Sequence, residues 1–340
     1  MVRASILLIS HNHEAFIEAA LRSALRQDGT DYELVIVDDA STDRTQAIIR
    51  EVLAREGVAG LKVKTLFHDR NQGVLAAVNA AMAAATGEVF VMMAGDDISM
   101  PDRLRRTLRA FAEKPTAQAV VGDFVKIDEA GRPFVSSAAI KSPQFFSYDS
   151  GRMTRIYGGS SPFGAAAAYR RRLFEVFGPM GDGNHGEDNC YWIRALLLGE
   201  IYRDPAVFIH WRQHAGNLSN FTAQLSDPTW RSRHLEWMQK HASMSGQWFR
   251  DINHARQAGL ISWGRAKRLQ YASLREDRSW GLEASSLRRD PWPVWRGRAF
   301  SLLLVGRIST TFKMLKVRLF PWLQQRRWRL WAKLKSNILA

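Results

Sequence analysis

Two apolar runs that stop abruptly on polar groups, each just before a helical pattern, constrain this chain most. Ser5–Ser10 runs into His11, Asn12 and His13, and Leu34–Val37 runs into Asp38, Asp39, Ser41 and Asp43. Lys62–Phe67, Glu88–Met93 and Ala119–Gly122 read as further strands, with the second strand starting at Glu33. Helical patterns lie between them at Glu14–Arg26, Asp43–Arg55 and Val74–Ala85. This alternation predicts an open α/β sheet whose ligands bind beyond the carboxyl ends of the strands. No Gly-x-Gly-x-x-Gly follows the first strand, which disfavours a dinucleotide oxidoreductase.

Charge divides the 340 residues into two parts. Residues 1–220 hold 25 Lys and Arg against 26 Asp and Glu, whereas residues 221–340 hold 23 against 7. Ten of the twelve tryptophans also lie in the second part, so a boundary is expected near residue 220. The single cysteine, Cys190, excludes an intramolecular disulfide framework and fits a reducing compartment. The N-terminal apolar run is too short for a signal peptide, and no stretch reaches the roughly 20 apolar residues that span a bilayer. A cytoplasmic protein with at most peripheral membrane contact is expected.

Polar groups at the ends of adjacent strands make a cleft, where a carboxylate such as Asp39 can accept hydrogen bonds from a base or a ribose. Asp39, Ser41 and Asp43 are equally suited to capping the next helix. Asp69, Arg70, Asn71, Gln72 and Gly73 open the third helix, which carries Asn79. The strand after it ends in Ala94, Gly95, Asp96 and Asp97, ahead of Pro101. This ordered set resembles glycosyltransferase family 2, whose nucleotide-sugar domain has the GT-A fold, a Rossmann-like mixed sheet flanked by helices. The resemblance covers most of residues 3–220. It implies that Ser10, His11, Asn12, Asp39, Asn71, Gly73 and Asp96 contact the nucleotide sugar.

Loss of a nucleotide diphosphate builds negative charge that a hard divalent cation stabilises. Asp96 and Asp97, expected to be exposed at a strand end, suit Mn²⁺ or Mg²⁺. Ala94 stands where the first Asp of the family's Asp-x-Asp motif often sits, so either carboxylate can be the direct ligand. The same pair could instead cap the helix starting at Pro101.

An acceptor hydroxyl needs a general base within hydrogen-bond reach. Glu187 and Asp188 open a helix after the Gly-rich stretch Gly178–Gly186. The run from Phe177 through Glu187, Asp188, Arg194 and Gly199 resembles the family's Glu-Asp block. By that resemblance Asp188 is the base of an inverting displacement, and Glu187 positions the acceptor. Trp211–Ser219 follows a strand-like Ala206–His210 and resembles the family's closing Arg-x-His segment. There Arg212 would neutralise phosphate and His214 would complete the metal shell or touch the diphosphate. His13 has no role assigned.

Residues 123–160 read as connecting loops and short strands that could face an acceptor. From about Asp227 the pattern is helical and basic. Residues 291–340 hold 11 Lys and Arg, no acid, and Trp292, Trp295, Trp322, Trp328 and Trp331. Basic charge with interfacial Trp points to an anionic membrane surface.

The expected function is metal-dependent transfer of a sugar, uridine being the nucleotide the resemblance favours, to a glycan or lipid-linked acceptor in cell-surface polysaccharide or glycolipid synthesis. A sugar-phosphate nucleotidyltransferase would need a Gly-rich loop after the first strand, and residues 10–13 contain no glycine. The alternative is a catalytically silent glycan- or nucleic-acid-binding protein on the same sheet. Having both carboxylate pairs argues against it, and nucleic acid is the less expected partner.

Overall fold

The computed structural model describes residues 3–29, 31–56, 60–136, 144–146, 164–181, 187–217, 246–271, 273–274, 296 and 299. The chain divides into two compact units, Met1–Asp182 with Glu187–Gln213, and Gly183–Gly186 with His214–Ala340.

In the first unit, β1 (Ala4–Ser10), β2 (Tyr32–Asp38), β3 (Lys62–Phe67) and β4 (Val89–Ala94) lie parallel in the order β3-β2-β1-β4. Continuous apolar runs such as Ile6, Leu7 and Leu8 are buried because helices cover both faces of a parallel sheet. α1 (Ile17–Leu25) buries Ile17, Ala20, Leu21 and Ala24, spaced as one helical stripe. α2 (Thr45–Glu56) and the Ala-rich α3 (Val74–Ala84) complete the crossovers, so that all four strands end at the same edge.

The sheet then changes direction. β5 (Ile98–Ser99), α4 (Arg103–Glu113), β6 (Ala117–Ile127), β7 (Pro133–Ser136) and β8 (Gln144–Phe146) follow in the chain. A short turn, Gly164–Ala166, leads into β9 (Ala167–Arg170), then α5 (Arg172–Phe177), α6 (Glu187–Leu198) and β10 (Glu200–Arg212). The order continues from β4 as β9-β6-β10-β5, giving ten strands among the described residues with β7 on β6 and β8 on β10. β9 is antiparallel to both β4 and β6, whereas β6 and β10 are parallel. The expected strand at 206–210 is thus part of one of thirteen residues that includes Trp211 and Arg212. Of the stretch read as loops and short strands, residues 123–127 continue β6, and residues 137–143 and 147–160 lie outside the described residues. Gly122 makes the β6–β10 packing possible, because a Cβ there would sit 2.0 Å from the Phe208 ring.

At the opposite, amino ends of the strands, buried Glu33 accepts from the Ser5 hydroxyl at 2.8 Å, the Thr86 hydroxyl at 2.8 Å and the Thr86 N–H. Burial pushes its carboxyl up, but these bonds and the nearby Lys64 outweigh it and bring the group down to about 2.

In the second unit, residues 246–257 and 263–271 are helical, with Trp248, Ile252, Ala255, Ala266 and Leu269 buried. The tail, apart from residues 296 and 299, lies outside the described residues. No helix among the described residues is long and apolar enough to cross a membrane.

Candidate active site

The ends of β1, β2 and β4 are stitched together by their own polar residues. The N–H of Asp39 donates to Ser10 O at 2.8 Å, and that of Gly95 to Ile9 O at 2.8 Å. Gly95 has no room for a side chain, since a Cβ would lie 2.8 Å from His13 Nδ1 and 3.1 Å from Ser10 Cβ. Asn12 takes a left-handed φ of 53° and accepts the Thr42 N–H on Oδ1 at 2.8 Å.

Capping and binding divide among the carboxylates that follow β2. Asp38 accepts from the Ser41 N–H and hydroxyl, and Asp43 from the Thr45 N–H and hydroxyl, so these two organise the entry to α2. Asp39 turns the other way. It accepts from His68 Nδ1 at 2.7 Å, the Gln72 N–H at 2.9 Å and the Gly73 N–H at 2.6 Å. His11 joins the same loop, with Nδ1 donating to Asp39 O at 2.8 Å and Nε2 accepting from Asn71 at 2.9 Å. Gly73, at φ 88°, gives the backbone turn into α3 that a side chain would strain. Ser10, His11, Asn12, Asp39, Asn71 and Gly73 therefore form one cluster at the sheet edge.

Asp96 and Asp97 are buried, at 8% and 2% exposure, rather than exposed. Nor do they cap α4, whose first turn is preceded by Asp102 with no side-chain cap. The reason is β10. Pairing of Ile98 and Ser99 with His210 and Ile209 brings the Arg212 N–H to Asp97 Oδ1 at 2.9 Å. The Arg212 side chain donates from Nε to Asp96 O at 2.9 Å and from Nη1 to the carbonyls of Asp128 and Glu129. Its guanidinium lies 5.0 Å from the centre of the Phe16 ring. These bonds make Arg212 a brace for the carboxylate turn.

Burial, then the charge of Asp96, pushes Asp97 well above the usual carboxylate range, and Arg212 and Arg103 pull against this. Two enclosed carboxyls that resist sharing two negative charges are what a divalent cation relieves. His13 Nε2 lies 3.9 Å from Asp96 Oδ2, a contact the sequence did not signal. Oxygen donors with an adjacent imidazole fit Mn²⁺ or Mg²⁺.

The sequence also missed Arg103. It is 1% exposed, and its Nη2 donates to the carbonyls of Met92 at 2.7 Å, Ala165 at 3.0 Å and Ala167 at 3.2 Å. It thereby ties the carboxyl end of β4 to the turn at 164–166. That turn presses on the proposed base, since a Cβ on Gly164 would lie 2.6 Å from Asp188 Cβ.

Glu187 and Asp188 open α6, and Asp188 Oδ1 accepts the Asn189 N–H at 2.7 Å. Burial, then the charge of Asp188, pushes Glu187 up to about 8, and burial also raises Asp188. Buried Arg194 donates to Gly178 O at 2.8 Å, and Asn79 exchanges two hydrogen bonds with the backbone of Met180. These bonds anchor the chain before residues 182–186, which lie outside the described residues. A cavity of about 90 Å³ is lined by Ala94, two residues before Asp96, and by Glu187 and Asp188. The end of β4 and the start of α6 therefore face one space. His214 follows Arg212 by two residues and belongs to the second unit, where its N–H bonds Asn217 Oδ1.

Known proteins match this arrangement. The profile described as Glycosyl transferase family 2 matches residues 5–178. An uncharacterized glycosyltransferase, alr2836 of Nostoc sp., is 26% identical over 327 residues, covering 92% of this chain and 96% of that one. The succinoglycan biosynthesis protein ExoO of Rhizobium meliloti is 33% identical over 143 residues, 41% of this chain and 39% of that protein. Among solved structures, S. aureus TarS 1-349 in complex with UDP-GlcNAc superposes with a TM-score of 0.54 at 17% identity, covering 88% of this chain and 90% of that one. The mannosyltransferase PcManGT of Pyrobaculum calidifontis, in complex with GDP-Man and Mn²⁺, gives 0.51 at 21% identity, covering 94% and 87%. With more than half of its length matched by the family profile, and with strand ends that gather these carboxylates on a mixed sheet of the GT-A type, the chain belongs to glycosyltransferase family 2.

Proposed function

We propose that this chain is a metal-dependent inverting glycosyltransferase that moves a hexosyl or N-acetylhexosaminyl group from a uridine diphosphate donor to an acceptor hydroxyl. The observation that carries this reading is the cavity lined by both Ala94 and Asp188, which brings the start of α6 to the end of the strand that leads into Asp96 and Asp97. The nucleotide lies against the cluster of Ser10, His11, Asn12, Asp39, Asn71 and Gly73. Asp96 and Asp97 would hold Mn²⁺ or Mg²⁺, with Asp96 also contacting the donor, and the bound cation would supply positive charge for the departing diphosphate. Arg212 keeps that turn in place. His214 is proposed as a further ligand from its sequence position alone. Asp188 removes the proton of the acceptor hydroxyl as it attacks, and Glu187, held protonated near neutral pH, donates a hydrogen bond that orients the acceptor.

In support, TarS was solved with UDP-GlcNAc and PcManGT with GDP-Man and Mn²⁺. ExoO is a succinoglycan biosynthesis protein, which favours a cell-surface polysaccharide or glycolipid product. The test is a screen of nucleotide sugars for release of nucleoside diphosphate, with and without Mn²⁺. Release is expected with at least one uridine donor and is expected to fall about 100-fold on chelation. Undiminished release in excess EDTA would sink the metal role.

The acceptor is proposed to be a glycan or a lipid-linked glycan at the cytoplasmic face, reached through peripheral binding by the basic second part. Residues 221–340 are proposed as the helical, Trp-rich region that makes this contact, and residues 1–220 as the catalytic domain. Helix 263–271 supports it. Trp263 is 67% and Tyr271 48% exposed, and Lys267 lies between them with its Nζ 5.7 Å from the Trp263 ring centre. Rings beside ammonium groups suit a headgroup layer. The full chain is expected to sediment with phosphatidylglycerol vesicles and not with phosphatidylcholine vesicles, and equal recovery with both would refute this contact.

A further inference from the structure

We propose that the cavity beside Asp188 receives the 2-acetamido group of the donor sugar, making the chain selective for nucleotide-activated N-acetylhexosamines over their 2-hydroxy counterparts. This rests on the reading of the chain as a nucleotide-sugar transferase and narrows it to one donor class.

Position comes first. The reacting carbon, C1, must lie between the cation that holds the diphosphate and the base that faces the acceptor. The cavity is lined both by Ala94, two residues before Asp96, and by Asp188, which puts it in that interval. Of the two ring atoms bonded to C1, the ring oxygen carries no substituent and C2 carries one. A recess beside C1 is therefore a recess for the group on C2.

Size comes next. An apolar cavity of about 150 Å³ takes benzene, with six heavy atoms. By that scale, the volume of about 90 Å³ accommodates about four. An acetamido group adds nitrogen, carbonyl carbon, oxygen and methyl. A single hydroxyl would leave most of the space empty and its walls without contacts.

Polarity agrees with the size. Ile9, Val74, Val78 and Met92 give the recess an apolar wall for a methyl group. Tyr169 also lines the cavity, 1% exposed, and its hydroxyl has no hydrogen-bond partner among the described residues. Its ring is fixed against Tyr191 at 5.0 Å and Trp192 at 5.3 Å between centres. Burial, and then the charges of Asp188 and Glu187, hold the phenol well above its ordinary value, so its O–H remains a donor. That donor matches the amide carbonyl, and the carboxyl oxygens of α6 match the amide N–H.

The experiment measures binding and turnover separately, using the full chain with Mn²⁺. UDP-GlcNAc and UDP-GalNAc are compared with UDP-Glc and UDP-Gal by titration calorimetry, and then by kcat/KM. The acetamido donors are expected to bind at least tenfold more tightly. Tyr169→Phe is expected to erase about tenfold of that advantage while leaving the affinity for UDP unchanged. Val78→Phe, which fills the recess, is expected to abolish the advantage. Equal affinity for the two donor pairs, or no binding by the acetamido pair, overturns the inference even if sugar is transferred. Tight acetamido-selective binding without transfer to any acceptor instead upholds the recess and overturns the catalytic reading.

Discussion

Replacing Asp188 by Asn is expected to lower kcat by about 10²–10⁴-fold, the range for losing a positioned general base. The amide is nearly isosteric, and its oxygen can still accept the Asn189 N–H that Asp188 Oδ1 accepts now. Gly164, which leaves room for Asp188, is also unaffected. The melting temperature and donor affinity should therefore stay close to wild type. What the amide lacks is a site that takes a proton near neutral pH. A variant with wild-type kcat would remove Asp188 from catalysis.

The same pair predicts a pH profile with opposing signs. Burial raises both carboxyls, and the charge of Asp188 adds to the effect on Glu187, taking it to about 8. The pair shares its titration. Transfer requires the base unprotonated, so kcat/KM should fall as pH drops through the titration of the pair. Stability should run the other way. A carboxyl raised in the folded state favours folding below its ordinary value, near 4.5, and Glu187 loses that contribution as pH rises through about 8. Activity and thermal stability should move in opposite directions from pH 5 to about 8, and above that both should fall as Glu187 loses the proton it donates to the acceptor.

Arg103→Met is expected to destabilise the fold by about 3 kcal/mol or more, read as a shift in the urea midpoint. The methionine nearly matches the volume but donates nothing to the carbonyls of Met92, Ala165 and Ala167. It also removes the cation whose charge, with that of Arg212, opposes the raised pKa of Asp97. Burial lowers the guanidinium to about 9 even though the charge of Asp97 pulls the other way, so the site bears a real desolvation cost. Arg103→Lys keeps the charge, but its shorter side chain falls short of the three carbonyls that Nη2 reaches, and it should fall between the two. A methionine variant as stable as wild type would show that the three bonds contribute nothing net. Transfer should fall with stability, because the turn that Arg103 ties to β4 is the one that presses on Asp188.

Local periodicity carried much of the sheet. The strands expected at residues 5–10, 33–38 and 62–67 lie within one residue of β1, β2 and β3, and α3 begins at Val74 as expected. Such elements announce themselves through apolar spacing over a few residues, and the polar strand ends mark the binding edge. The length of β10 and the antiparallel entry of β9 between β4 and β6 were not visible. Arg203, Asp204 and Pro205 interrupt the apolar pattern of β10, and the register shifts there are tolerated only because β6 lies alongside. Arg103 is one of four arginines on α4, and nothing within a turn of it signals three carbonyl partners as much as 64 residues away.

The sequence by itself determined a strand–helix alternation, polar residues at a shared sheet edge, two carboxylate pairs and a sharp change of charge near residue 220. Each follows from side-chain chemistry and spacing along a few turns of chain. Tertiary structure alone decided that Asp39 secures the loop before α3, that Arg212 braces Asp96 and Asp97 out of solvent, and that Asp188 shares a cavity with the end of β4. Those outcomes depend on hydrogen-bond partners brought together by strand pairing across long stretches of chain, and local pattern contains no record of them.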